Sequence, residues 1–190
     1  MRILASNTGQ ELIYDTYAKE LGIEIKTVKS WISALSKTGI IYLVHPYHEH
    51  SIVKRIVKRP KLYFFDTGLA SYLSGIDTSR TLLRSFLKGR FFESFAMNEI
   101  RKSFRSEGLN PEFYYYRDNN RNEIDLVYIR DGEIHRVEMK SGTRFAIGDV
   151  KGFKQLDHSD FIKGANAIVC TADKLSALSD GTLIIPISSI

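Results

Sequence analysis

Apolar positions along this chain change their period several times, and each change marks an element. From Ile13 to Leu21 the spacing is helical, with Tyr17, Ala18 and Leu21 on one side and Gly22 as the turn or C-cap residue. A second helix spans Ile25 to Ser36, where Val28, Trp31, Ile32 and Leu35 form the i, i+3, i+4, i+7 series of a buried face. Gly39 stops it. Ile40–Val44 then reads as a strand, and Ile52–Val57 as another, across a polar loop holding His45, Pro46, His48 and His50. After the break at Arg59-Pro60-Lys61, Leu62–Phe65 reads as a short strand. Asp66 N-caps a short helix, Leu69–Leu73, which Gly75 ends. A long helical pattern runs from Leu82 to Phe104, with division at Gly89 left open. Strands follow at Glu112–Arg117, Glu123–Ile129 and Glu133–Lys140. The remainder reads as a helix near Asp149–Leu156, a strand at Ala165–Cys170, a short helix at Ala172–Leu178 and a last strand at Leu183–Ile187.

Polar residues interrupt one of these apolar regions in an informative way. Asp131-Gly132 between two alternating runs is a strong two-residue hairpin signal. Counting back from that turn places Arg130 opposite Glu133, Asp125 opposite Glu138 and Glu123 opposite Lys140, all four of the inner residues on one face. Like charges directly opposite each other destabilise a sheet. Asp125 and Glu138 therefore call for a cation between them, either a metal or the lysine.

Composition narrows the class. The chain has 190 residues with 43% hydrophobic and 26% charged residues, the proportions of a globular protein with one sizeable domain or two small ones. No apolar run approaches the roughly 18 residues of a membrane span, and no secretory leader pattern is present. The single cysteine, Cys170, lies in an apolar run and excludes a disulfide framework, so a reducing, cytoplasmic setting is expected. Net charge is +5, unevenly spread: residues 1–60 carry nine Lys/Arg against five Asp/Glu, and the rest eighteen against seventeen. A basic N-terminal segment suits a polyanion.

Helix, tight turn, helix, β-hairpin is the order of a winged helix, and Ala18–Ile23, Thr27-Val28 and Leu35–Ile40 resemble the helix-turn-helix of bacterial regulators. In that arrangement the second helix enters the major groove. Its outward residues are Lys26, Lys29, Ser30 and Ser33, while Lys54, Arg55, Lys58 and Arg59 lie on or after the wing, within reach of phosphates. The same module also serves as a protein-protein contact or a lid on ATPases. His48-Glu49-His50 is compact enough to consider as a metal site, against the simpler reading of a solvated loop.

From Leu82 onward the order α-β-β-β-α-β, with acids on its second and third strands, resembles the PD-(D/E)xK nuclease superfamily. Asp125 fits the first motif and Glu138-Met139-Lys140 the second, with Ile124 in place of the motif's opening proline. Glu93, in Gly89-Arg90-Phe91-Phe92-Glu93, matches the acid of the preceding helix, with Glu99 in reserve. Pro60–Leu69, Gly89–Glu93, Glu123–Leu126 and Val137–Ser141 together resemble the C-terminal half of a prokaryotic AAA+-type ATPase family. The resemblance implies an α/β (α+β) chain in three parts: a winged helix at 1–59 with a shortened first helix, a linker with a short strand and helix at 60–81, and a restriction-endonuclease-like αβββαβ core with a mixed sheet at 82–190. No P-loop motif G-x-x-x-x-G-K-[ST] occurs, so the ATPase part and any nucleotide site are expected to lie outside this chain, read as a C-terminal fragment.

The chemistry the resemblance implies is phosphodiester hydrolysis with Mg²⁺ or Mn²⁺. Asp125, Glu138 and Glu93 would hold the metal, with the carbonyl of Met139 as a further ligand. Lys140 would orient the water or neutralise developing charge, Gln155 would stand beside it, and Glu123 would hold Lys140. Three functions remain open at this level. They are a metal-dependent nuclease on a DNA-binding winged helix, a catalytically silent module binding DNA or a protein for the ATPase, and a structural domain that sets a homo-oligomer.

Overall fold

The computed structural model describes residues 1–48 and 59–190. Among these residues it is a mixed α/β structure built on one nine-stranded mixed sheet in the order β1-β3-β2-β4-β5-β6-β7-β9-β8. The strands are β1 (Gln10–Glu11), β2 (Ile41–Pro46), β3 (Lys61–Phe64), β4 (Phe113–Arg117), β5 (Glu123–Arg130), β6 (Glu133–Lys140), β7 (Ile162–Cys170), β8 (Ser176–Ala177) and β9 (Leu183–Pro186). The helices are α1 (Arg2–Ser6), α2 (Tyr14–Leu21), α3 (Ile25–Lys37), α4 (Thr67–Leu73), α5 (Ser79–Arg84) and α6 (Lys88–Ser106). Among the described residues, no helix is long and apolar enough to cross a membrane.

The N-terminal helices end where the glycines predict. Gly22 caps α2 at φ 64°, ψ 33°, and the Ile23 N–H donates back to the Ala18 carbonyl. The buried face of α3 is narrower than the pattern suggests. Val28 and Ile32 are in the core and Leu35 is half-buried, but Trp31 is 53% exposed. It stands beside an open apolar cleft instead of under a packed neighbour. Strand β2 is covered on both edges: Ile41–Val44 pair antiparallel with β3, and His45–Pro46 pair parallel with β4. His45 and Pro46 are therefore sheet residues, not loop. The expected wing strand Ile52–Val57 lies outside the described residues.

Lys61–Phe64, expected within a linker, is a completely buried strand between β1 and β2. Leu62 and Phe64 point into the core under the N-terminal helices, while Tyr63 points to the other side, under α6. Asn98 locks α6 to this strand: its amide donates to the carbonyls of Phe64 and Phe65, and its oxygen accepts from the Tyr42 hydroxyl at 2.8 Å. The helical pattern expected from Leu82 does break, but at Ser85 and not at Gly89. Ser85 is extended (φ −81°, ψ 145°) and its Oγ accepts from the Leu87 N–H. Asp66 is the expected N-cap, accepting from the N–H groups of Gly68 and Leu69.

The hairpin turn is as counted. Asp131 and Gly132 both have positive φ, the signature of a type I′ turn, and Arg130 pairs with Glu133. The two later helices differ from expectation. Ile147–Leu156 is a 3-10 segment kinked at Val150, since Gly148 and Gly152 weaken a regular helix. Residues 172–178 form no helix. Ser176–Ala177 pairs with β9 through a turn at Gly181 (φ 85°), because a free sheet edge satisfies the backbone better than one or two isolated helical turns.

Candidate functional site

The expected charged residues meet where β5 and β6 separate, under the first turns of α6. Two departures from simple pairing create the site. β5 carries a β-bulge: Tyr114 pairs with Val127 but Tyr116 with Ile124, so one extra residue of β5 is inserted at Asp125-Leu126. The β5–β6 ladder stops at Leu126–Val137. Asp125 and Glu138 thus do not form the expected cross-strand pair. Instead, Asp125 Oδ2 accepts from the Met139 N–H at 2.8 Å, taking a backbone donor that the ladder leaves. Val137 and Met139 pack in the α6-side core, so alternation turns Glu138 and Lys140 to the opposite side of β6. The β5 bulge leaves Asp125 and Glu123 on the α6 side with Lys61, so the expectation that all four charged residues share one face fails.

A lysine that sequence reasoning assigned to a break in the pattern sits at the centre. Lys61 is 3% exposed, and its Nζ lies 2.9 Å from Glu93 Oε1, 2.7 Å from Glu123 Oε1 and 3.8 Å from Asp125 Oδ1. Tyr63, on the same side of β3, donates its hydroxyl to the same Glu93 oxygen at 2.6 Å. The Tyr115 ring faces the ammonium at 5.4 Å from its centroid. Burial opposes the charge on Lys61, but Glu93, Tyr63, Asp125 and Glu123 outweigh it and hold the ammonium well above its ordinary pKa. Burial, with Glu93 beside it, also pushes the Tyr63 hydroxyl up. A signal for these residues was present. Lys61 heads an apolar strand, and the period of two puts it on the face of Tyr63.

The other expected residues divide. Lys140 pairs with Glu138 at 3.0 Å and not with Glu123, which belongs to Lys61. Burial raises the Glu138 pKa, and Lys140 partly offsets it. Gln155 is exposed on the 3-10 segment, and the group there that acts on Lys140 is Asp149. Glu99 pairs with Lys102 on the surface of α6. Lys26, Lys29 and Ser30 are exposed on α3, with the Lys29 Nζ 5.6 Å from the Tyr14 ring centroid. Lys54, Arg55 and Lys58, and two of the three residues of His48-Glu49-His50, lie outside the described residues.

A metal needs several donors around one point. Among the described residues, no group of three or more His, Cys, Asp or Glu side chains is arranged to hold one. Glu93 and Asp125 face the Lys61 ammonium, and Glu138 faces Lys140. The residues present do not fit the Mg²⁺ or Mn²⁺ site expected of Asp125, Glu138 and Glu93, and no hydrolytic step is assigned to them.

Asp125 is the strained member of the group. Burial pushes its carboxyl well above the usual range, and Glu93 and Glu138 add to the shift, while Lys61 and the Met139 N–H oppose it. A raised folded-state pKa favours the protonated form on folding. That stability is fully present below the unfolded pKa and is lost as pH rises through the folded one. Asp125→Asn keeps an oxygen for the Met139 N–H and removes the charge. It is expected to stabilise the protein by about 1 kcal/mol at alkaline pH, with no gain in acid. Urea denaturation across pH measures this, and a loss of stability at alkaline pH would contradict the assignment.

Comparison with known proteins adds family membership without an activity. Residues 1–80 match a domain of unknown function, DUF8612, and residues 88–190 match another, DUF4143. Uncharacterized proteins of Mycobacterium bovis and Mycobacterium tuberculosis are each 26% identical over 188 residues, 99% of this chain. The chain spans 41% of the length of these curated relatives. No solved structure matches it significantly.

Proposed function

We propose, for a chain that belongs to the family of the domain of unknown function DUF4143, that it is a nuclease-like module which grips duplex DNA and leaves the phosphodiester intact. One observation carries the DNA contact. Lys26, Lys29, Ser30, Ser33 and Lys37 form an exposed stripe along α3, on the side away from buried Val28 and Ile32. Such a face suits the phosphates and base edges of a major groove, as in the winged helix that this segment resembles. The run α6, β4, β5, β6, 3-10 segment, β7 supports a nuclease-like reading, with the 3-10 segment standing where the αβββαβ order has a helix. The buried Lys61 among its acids favours binding over hydrolysis. By the same resemblance, the module serves an ATPase.

Electrophoretic shift of a duplex at several salt concentrations tests this reading. Lys26→Ala/Lys29→Ala is expected to weaken binding about tenfold and to reduce the slope of log K against log salt by about 2, at about 0.9 per phosphate contact. Binding that these changes leave untouched would count against α3. A second reading would then move ahead: α3 also borders an apolar cleft lined by Met1, Ile3, Leu21, Trp31, Ala34 and Leu35, which suits an apolar segment of a partner protein.

A further inference from the structure

The charges at the end of the hairpin form two neighbouring ion-paired groups. Lys140 pairs with Glu138, and its side chain is 34% exposed. Lys61 serves three carboxylates from two elements, Glu93 on α6 and Glu123 and Asp125 on β5, with 4% of its side chain exposed. The strand that carries Lys61 is held on both edges, by Glu11 of β1 and Val44 of β2, so its backbone cannot withdraw without breaking two ladders. Carboxylate oxygens converging on one point suit a divalent ion, but with the ammonium among them these three are not arranged to hold one. Here that point is filled by an ammonium, which supplies the positive charge to all three and close contacts to Glu93 and Glu123.

We propose that Lys61 is the resident cation of this acid cluster and keeps divalent ions out of it, so that Glu93, Glu123 and Asp125 accept a divalent ion only when the ammonium is removed. The exclusion is both steric and electrostatic. A Mg²⁺ ion needs its oxygens at about 2.0–2.1 Å, and the Lys61 Nζ holds two of these oxygens at 2.7 and 2.9 Å around itself. A dication would have to displace a buried monocation. Lys61→Met keeps the length of the stem, removes the charge and leaves the carboxylates facing one another. The proposal does not rest on DNA contact through α3, and either can fail while the other stands.

Calorimetric titration of the full chain with MnCl₂ tests it. The wild type is expected to take up no Mn²⁺ at millimolar concentration. Lys61→Met is expected to bind one ion, with a thermal midpoint that rises by several degrees at saturation. Binding should be lost in Lys61→Met/Asp125→Asn. Where Lys61→Met is unfolded without metal, far-UV circular dichroism during Mn²⁺ addition gives the answer, since folding driven by the ion supports the proposal. Lys61→Met/Glu123→Gln, which removes one carboxylate with the ammonium, should bind more weakly than Lys61→Met. Mn²⁺ uptake by the wild type that Asp125→Asn abolishes would overturn the proposal. So would a folded Lys61→Met that ignores the metal, or both Lys61 variants remaining unfolded in Mn²⁺ that leaves the wild type folded.

Discussion

Gly152→Ala is expected to destabilise the protein by about 3 kcal/mol or more. A Cβ at this position would stand 2.2 Å from the carbonyl oxygen of Glu123 and 3.2 Å from its carbon. Both are backbone atoms of a strand bonded to β4, so no side chain can swing aside. The 3-10 segment must lift off the sheet or β5 must shift. Lifting exposes Val150, Phe153 and Leu156, which fill one side of the core. Shifting moves Glu123 away from Lys61, and with it the balance of the buried charges. Gly148→Ala is the control, since a Cβ there meets nothing within 4 Å. Urea denaturation of the two variants should separate them clearly. A loss below about 1 kcal/mol for Gly152→Ala would show that this close approach relaxes easily.

Arg136→Ala is expected to cost about 3 kcal/mol. Arg136 is fully buried beneath the 3-10 segment. Its Nη1 donates to the Phe153 carbonyl at 2.6 Å and to Asp157 at 2.7 Å, and its Nε to Asn166 at 2.8 Å. Truncation empties a large volume and leaves the buried Phe153 carbonyl without this donor. Burying an arginine is itself expensive, and its Nη2 has no hydrogen-bond partner among the described residues. Arg136→Met keeps much of the volume and removes that unpaired group, so it should cost less than half as much as alanine. Equal losses would mean that the hydrogen bonds matter and the packing does not. The Arg136 hydrogen bond also holds the Asp157 carboxyl below its usual range. That contribution is present above the ordinary Asp pKa and lost as pH falls through the lowered one, so the gap between wild type and Arg136→Met should narrow in acid.

Much of the architecture is legible from local pattern because local forces determine it. Asp131-Gly132 specifies its turn through two positive φ angles, Gly22 and Asp66 cap helices through their own backbone or side chain, and the α3 stripe follows from helical geometry. The misses have equally specific causes. Trp31 has the right spacing for the core but is 53% exposed among the described residues. Residues 172–178 have helical propensity but lie beside an open strand edge. The 3-10 segment is irregular because Gly152 must approach Glu123 too closely for a side chain.

The sequence by itself determined the hairpin, its register and the presence of several carboxylates in a covered sheet, since turn chemistry and a period of two are properties of neighbouring residues. It could not determine which cation those carboxylates meet. That depends on Lys61, separated by 62 residues from Glu123 and brought there by the pairing of β3 with β2 and of β2 with β4. It depends also on a single bulge at Asp125, which takes this residue out of the expected pair with Glu138. Charge balance in a buried site is a sum over elements distant in sequence, and only the tertiary structure assembles that sum.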